Sequence, residues 1–139
     1  MAKDHDFLLL ETQQIEAATR LIVPLLSKQS LDSYEAIALG TLLQNVYMGI
    51  ENILRCQLHA RGIHLPKTAN WHKELLRAAC EAGLVNEEDL PVFRKLLLFR
   101  HRHVHGYGHM LDEFLLRQLA APVPEAVRRY IERVKASLD

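Results

Sequence analysis

Residues 32–61, DSYEAIALGTLLQNVYMGIENILRCQLHAR, decide the fold. Asp32 stands three residues ahead of Glu35, the arrangement of a capping box, in which each side chain accepts from the other residue's backbone N–H. Beyond it, Leu39, Leu42, Leu43, Val46, Ile50, Ile53, Leu54 and Leu58 recur three and four residues apart and trace one apolar stripe. Gln44, Asn45, Glu51, Asn52 and Arg55 lie off that stripe. Gly62 suits the left-handed position after a helix, and Pro66 closes the segment. The spacing predicts a helix from Asp32 to about Arg61, the longest element of the chain.

The same period appears on both sides. Upstream, Phe7, Leu8, Gln14, Ile15, Ala18, Leu21, Ile22, Leu25 and Leu26 predict a helix from about Asp4 to Lys28, with a kink or early end near Val23 because Pro24 lacks a backbone donor. Downstream, Thr68 or Asn70 caps a third helix that turns Trp71, Leu75, Leu76 and Ala79 inward and stops at Gly83. Asn86 is expected to cap a fourth, with Glu87, Glu88 and Asp89 in its first turn, where the helix dipole favours negative charge. Val92, Phe93, Leu96, Leu97 and Phe99 follow on it. A short helix through Leu115, Leu116 and Leu119 runs up to Pro122, and Pro124 suits the first turn of a last one bearing Val127, Tyr130, Ile131, Val134 and Leu138. No strand pattern, repeat or low-complexity tract interrupts this. The expectation is an all-α, single-domain bundle of about five helices over residues 1–139.

Composition fits a folded globular chain: of 139 residues, 49% are hydrophobic and 24% charged. The 17 basic and 17 acidic residues cancel, so any case for a polyanionic partner has to be local. Cys56 and Cys80 show no CxxC spacing and read as reduced, buried thiols. No apolar run approaches the roughly 20 residues that span a bilayer, and no secretory leader is recognisable, so no membrane role is expected and a cytoplasmic protein is.

The local case lies in residues 99–107, FRHRHVHGY. Between Leu90 and Leu111 there is no acidic residue, whereas Arg94, Lys95, Arg100 and Arg102 are positive and His101, His103, His105 and His109 fall in the same interval. Such a patch can hold phosphate; it can equally be basic side chains answering the dipole at a helix end. Arg100 and His105 would sit about 140° apart on an unbroken helix, so bringing them together requires the helix to stop. Gly106 and Gly108 supply that stop, unless the two come together across a pair of subunits. Chemically, a histidine can take the proton of an RNA 2′-hydroxyl or give one to the leaving oxygen, while a guanidinium holds the phosphate. No metal is required when the nucleophile is internal. The rival chemistry is a metal site from His101, His105, His109 and Asp112, against which the glycines and the lack of an HExxH motif argue. His72 reads as structural, packed or hydrogen-bonded near the fourth helix.

Arg100-x4-His105-x-Tyr107 resembles the Arg-x4-His-x-Tyr motif of the HepT-like toxins of the HEPN superfamily. Residues 49–54 (GIENIL), 71–76 (WHKELL), 99–101 (FRH), Tyr107-Gly108 and Leu111-Asp112 are similar to that family's sequences and occur in its order. The chain departs from the family at Arg102 and His103, where apolar or aromatic residues are common, and at Gly106, where alanine is. The resemblance implies a HEPN-like bundle that works as a homodimer and cleaves RNA without a cofactor or metal, through Arg100 and His105. It implies that Tyr107 is the acceptor of AMP from a cognate MntA-type nucleotidyltransferase antitoxin. Arg102, His101, Arg94 and Lys95 become candidate phosphate contacts, and Glu51 and Asn52 candidate supports of the cleft. The alternative is a non-catalytic helical module that docks with a nucleotidyltransferase.

Overall fold

The computed structural model describes residues 2–102 and 112–139, and every element in them is helical. In order these are α1 (Ala2–Leu26), α2 (Ser33–Ala60), α3 (Trp71–Glu81), α4 (Leu90–Arg102), α5 (Glu113–Ala120) and α6 (Val123–Leu138). All the helices expected from periodicity are present.

α2 is the axis of the bundle. The capping box at its start is complete: Asp32 Oδ1 accepts from the Glu35 N–H at 2.8 Å, and Glu35 Oε1 accepts from the Asp32 N–H at 3.0 Å. Its stripe is fully enclosed, with Leu39, Leu43, Val46, Ile50, Ile53 and Leu54 all at 0% exposure. Each such side chain stabilises the fold by roughly 1.5–3 kcal/mol through burial. Leu42 is half-buried beside them. α1 packs along α2, and α6 packs against α1. α3 and α4 pack on α2 and on each other. α5 joins the ends of α1, α2, α4 and α6.

Where helices end, glycine decides. Gly62 (φ 74°) and Gly83 (φ 77°) both hold the left-handed conformation expected after α2 and α3. Gly49 plays a different part: a Cβ there would lie 2.5 Å from Ile15 Cγ1, so α1 and α2 approach closely at this point.

Three local expectations change. α1 continues through Pro24 to Leu26, so it ends beyond Val23. Asn70 precedes α3 without a side-chain cap bond; the Trp71 N–H instead donates to the Thr68 carbonyl at 3.2 Å. Residues 87–89 form a turn ahead of α4, which starts only at Leu90 and has no acid in its first turn. Asp89 is buried, and its carboxylate accepts from Arg129 of α6 at 2.6 and 3.2 Å. A cross-helix pair for a buried carboxylate outweighs a few tenths of a kcal/mol of dipole interaction.

Candidate functional site

α4 carries its inward side chains as Phe93, Leu96, Leu97 and Arg100, which share one face at about 100° per residue. Phe93 and Leu96 are buried, so the stripe that anchors the helix also carries Arg100 towards α2. Arg100 itself is half-buried, and its Nε is enclosed with no hydrogen-bond partner. Its guanidinium forms no ion pair among the described residues. Arg94, Lys95 and His101 are exposed and lie with Leu98 on the outer face of α4, away from Arg100. For Arg102 only the helical backbone is described. His103, His105, Tyr107 and His109 lie outside the described residues, so the predicted meeting of Arg100 with His105 and Tyr107 does too.

α2, which packs against α4, carries Tyr47 and Glu51 one turn apart. Glu51 falls on the buried side of α2, at 6% exposure, rather than off it. His72 of α3 explains how a carboxylate is held there: its Nδ1 lies 2.8 Å from Glu51 Oε2. An ionised carboxylate only accepts, so Nδ1 carries the proton and Nε2 has the lone pair in the neutral ring. His72 is hydrogen-bonded, as expected, but its partner is on α2 and not α4. Trp71 lies against it, ring centroids 4.1 Å apart, and the Arg55 guanidinium stands 5.7 Å from the Trp71 ring. Arg55 also donates to Asn52 Oδ1 at 2.8 Å, and Asn52 Nδ2 makes a long 3.4 Å contact with Glu11 of α1. Glu51 and Asn52 therefore face different neighbours.

Tyr47, wholly enclosed, went unremarked in the sequence because an aromatic at helical spacing looks like core. Its hydroxyl has no hydrogen-bond partner among the described residues. Burial pushes its pKa well up, the Glu51 carboxylate adds to the rise, and the Arg100 charge opposes it. Tyr47, Glu51 and Arg100 thus share one electrostatic neighbourhood at the α2–α4 contact. The signal for it was the four-residue step from Tyr47 to Glu51, which puts both on one face.

Among the described residues no group of three or more His, Cys, Asp or Glu side chains converges as metal ligands would. Cys56 and Cys80 are free and half-buried. No described helix is long and apolar enough to cross a membrane.

No curated protein and no solved structure matches the chain. A family model described as HepT-like protein matches residues 38–139, from the first turns of α2 to the C-terminal residue. That span takes in Tyr47, Glu51, His72 and Arg100, and on it the chain belongs to the HepT-like family.

Proposed function

We propose that the chain is an endoribonuclease toxin that cleaves RNA without a metal, working as a homodimer. Arg100 binds the scissile phosphate and His105 transfers protons. The observation that carries this is the state of Arg100: an arginine anchored through the core stripe of α4, its Nε enclosed, with no carboxylate or hydrogen-bond partner among the described residues. An unneutralised, partly dehydrated guanidinium is suited to a phosphate and to the charge that builds on it during transesterification. Membership of the HepT-like family supports the same assignment. Arg102, His101, Arg94 and Lys95 would extend the positive surface along the RNA.

Tyr107 is the proposed control point. Transfer of AMP to its hydroxyl by a partner nucleotidyltransferase of the MntA type would add bulk and a negative charge beside the phosphate site, excluding RNA by occlusion and repulsion.

Cleavage of total RNA by the purified chain is the test. Wild type should cut in excess chelator, Arg100→Ala and His105→Ala should each lose at least about a hundredfold in rate, as removal of an electrostatic or acid–base group does. Co-expression with the neighbouring nucleotidyltransferase should raise the intact mass by one or more AMP units, and Tyr107→Phe should prevent it. A wild-type chain that leaves RNA intact and growth unaffected would make it a docking module for that enzyme instead.

A further inference from the structure

The turn between α3 and α4 gathers two arginines from other helices. Arg61, at the end of α2, donates through Nη1 to the Ala82 carbonyl at 2.9 Å, and Arg133 of α6 donates through Nη1 to the Gly83 carbonyl at 2.9 Å. Both guanidiniums are thus held at consecutive residues, about 3.8 Å apart along the chain. Closing α3 does not need them. The Gly83 N–H already donates to the Cys80 carbonyl at 3.0 Å, and the Leu84 N–H to the Ala79 carbonyl at 2.9 Å. Each guanidinium has five N–H donors and spends one, and neither forms an ion pair among the described residues. Like charges gathered in this way repel each other until an anion answers both.

Arg61 and Arg133 line one cavity of about 410 Å³, a volume usual for small-ligand sites, and no acidic side chain lines it with them. Leu8, Leu84, Val134 and Leu138 give it an apolar wall. Gln57 and Ser137 add polar points. The Gln57 carbonyl accepts from the Tyr130 hydroxyl at 3.4 Å, while its amide N–H groups have no partner among the described residues. Ser137 Oγ donates to the Val134 carbonyl and keeps its lone pairs. An acyl chain would strip water from that amide and hydroxyl and give nothing back, whereas a flat ring with a polar edge serves wall and polar points together. Two guanidiniums match a phosphate monoester, which carries about −1.5 to −2 charges at pH 7, better than the single charge of an internal phosphodiester. We propose that this cavity binds a nucleotide by a terminal phosphate monoester, with the phosphate between Arg61 and Arg133 and the base on the apolar wall. A free nucleotide and the phosphorylated end of an RNA strand share that chemistry. The cavity lies ahead of the start of α4 and Arg100 near its end, so the proposal does not rest on the ribonuclease role of Arg100.

Titration of the full chain with AMP, followed by ¹H–¹⁵N NMR, is the test. AMP should shift the Gly83 and Leu84 amide signals and the Nε–H signals of Arg61 and Arg133, and should do so equally in wild type and Arg100→Ala. Arg61→Gln and Arg133→Gln each keep a donor for the carbonyl but lose the charge, and each should weaken binding about tenfold. Ala136→Trp, which fills the cavity and leaves both arginines in place, should abolish it. Inorganic phosphate should bind at least about tenfold more weakly than AMP, because it leaves the apolar wall bare. A uridine hexamer, added to Arg100→Ala to spare the strand, separates the two sources. If its 5′-phosphorylated form gives the AMP shifts, the occupant is an RNA end; if it does not, the occupant is a free nucleotide. Equal shifts from the 5′-hydroxyl hexamer overturn the monoester assignment. Gly83 and Leu84 signals that stay still with AMP overturn the site, and so does binding that survives Ala136→Trp or both glutamine substitutions.

Discussion

Tyr47 shows how a single hydroxyl can report on its surroundings. Enclosed and with no hydrogen-bond partner among the described residues, it contributes mainly through its ring, so Tyr47→Phe should leave stability at neutral pH unchanged or slightly higher. At high pH the two behave differently. Burial raises the pKa of Tyr47 and, for the same reason, of Tyr130 above the ordinary value of 10.0. The folded state therefore keeps protons that the unfolded chain gives up. The stability this represents is fully present below pH 10 and is lost as pH rises towards the folded pKa, by about 1.4 kcal/mol per pH unit for each tyrosine. Urea melts between pH 9 and 11.5 should show a loss approaching two protons, reduced by one in Tyr47→Phe or Tyr130→Phe. The pair of His72 with Glu51 belongs to the same scale. Local sequence identifies a histidine and a glutamate on two amphipathic helices, but a bond between side chains 21 residues apart depends on how those helices cross.

Elements were far more legible than pairs. The three- and four-residue steps, the capping box at Asp32, and Gly62 and Gly83 after α2 and α3 are local signals, and local backbone geometry follows them. Asn86 with its three acids looked equally local, yet Asp89 is drawn into a pair with Arg129 forty residues later, and α4 begins after it. That competition cannot be read without the tertiary fold. The contact of α1 with α2 makes a prediction at this scale. Gly49→Ala would set a methyl group 2.5 Å from Ile15 Cγ1 and 2.9 Å from its Cδ1. The Ile15 side chain is enclosed and has little room to retreat. The substitution should cost about 1–3 kcal/mol despite alanine's better helix propensity, measured as a drop in the urea midpoint. Gly49→Ala combined with Ile15→Val should recover part of it.

For the whole molecule, burial explains the bundle but not all of its apolar surface. Tyr34 and Ile37 at the start of α2 and Phe114 and Leu115 at the start of α5 are exposed, between 56% and 85%. They lie at one end of the bundle, where the Leu31 N–H donates to Glu113 at 2.7 Å. A proposed homodimer would find apolar cover there. Ile37→Glu with Phe114→Glu should then shift sedimentation from dimer to monomer, leave the helical circular dichroism intact and reduce RNA cleavage. A dimer that persists would place the interface elsewhere. The motif in residues 99–107 was legible as residue types, and of its three principal residues only Arg100 falls among the described residues.

The pairing of Asp89 with Arg129 gives α4 a fixed origin. From Asp89 to Arg100 is eleven residues, close to three whole turns, so the helix acts as a ruler whose zero mark is pinned to α6 and whose far mark faces α2. Length along it is then also angle. One residue inserted between those marks would swing Arg100 by about 100° and carry it off the α2 face. An insertion of four would bring it back to within about 40°, but roughly 6 Å further along. A change in the number of residues in this segment would therefore move Arg100, whereas exchange of its exposed side chains would leave it in place.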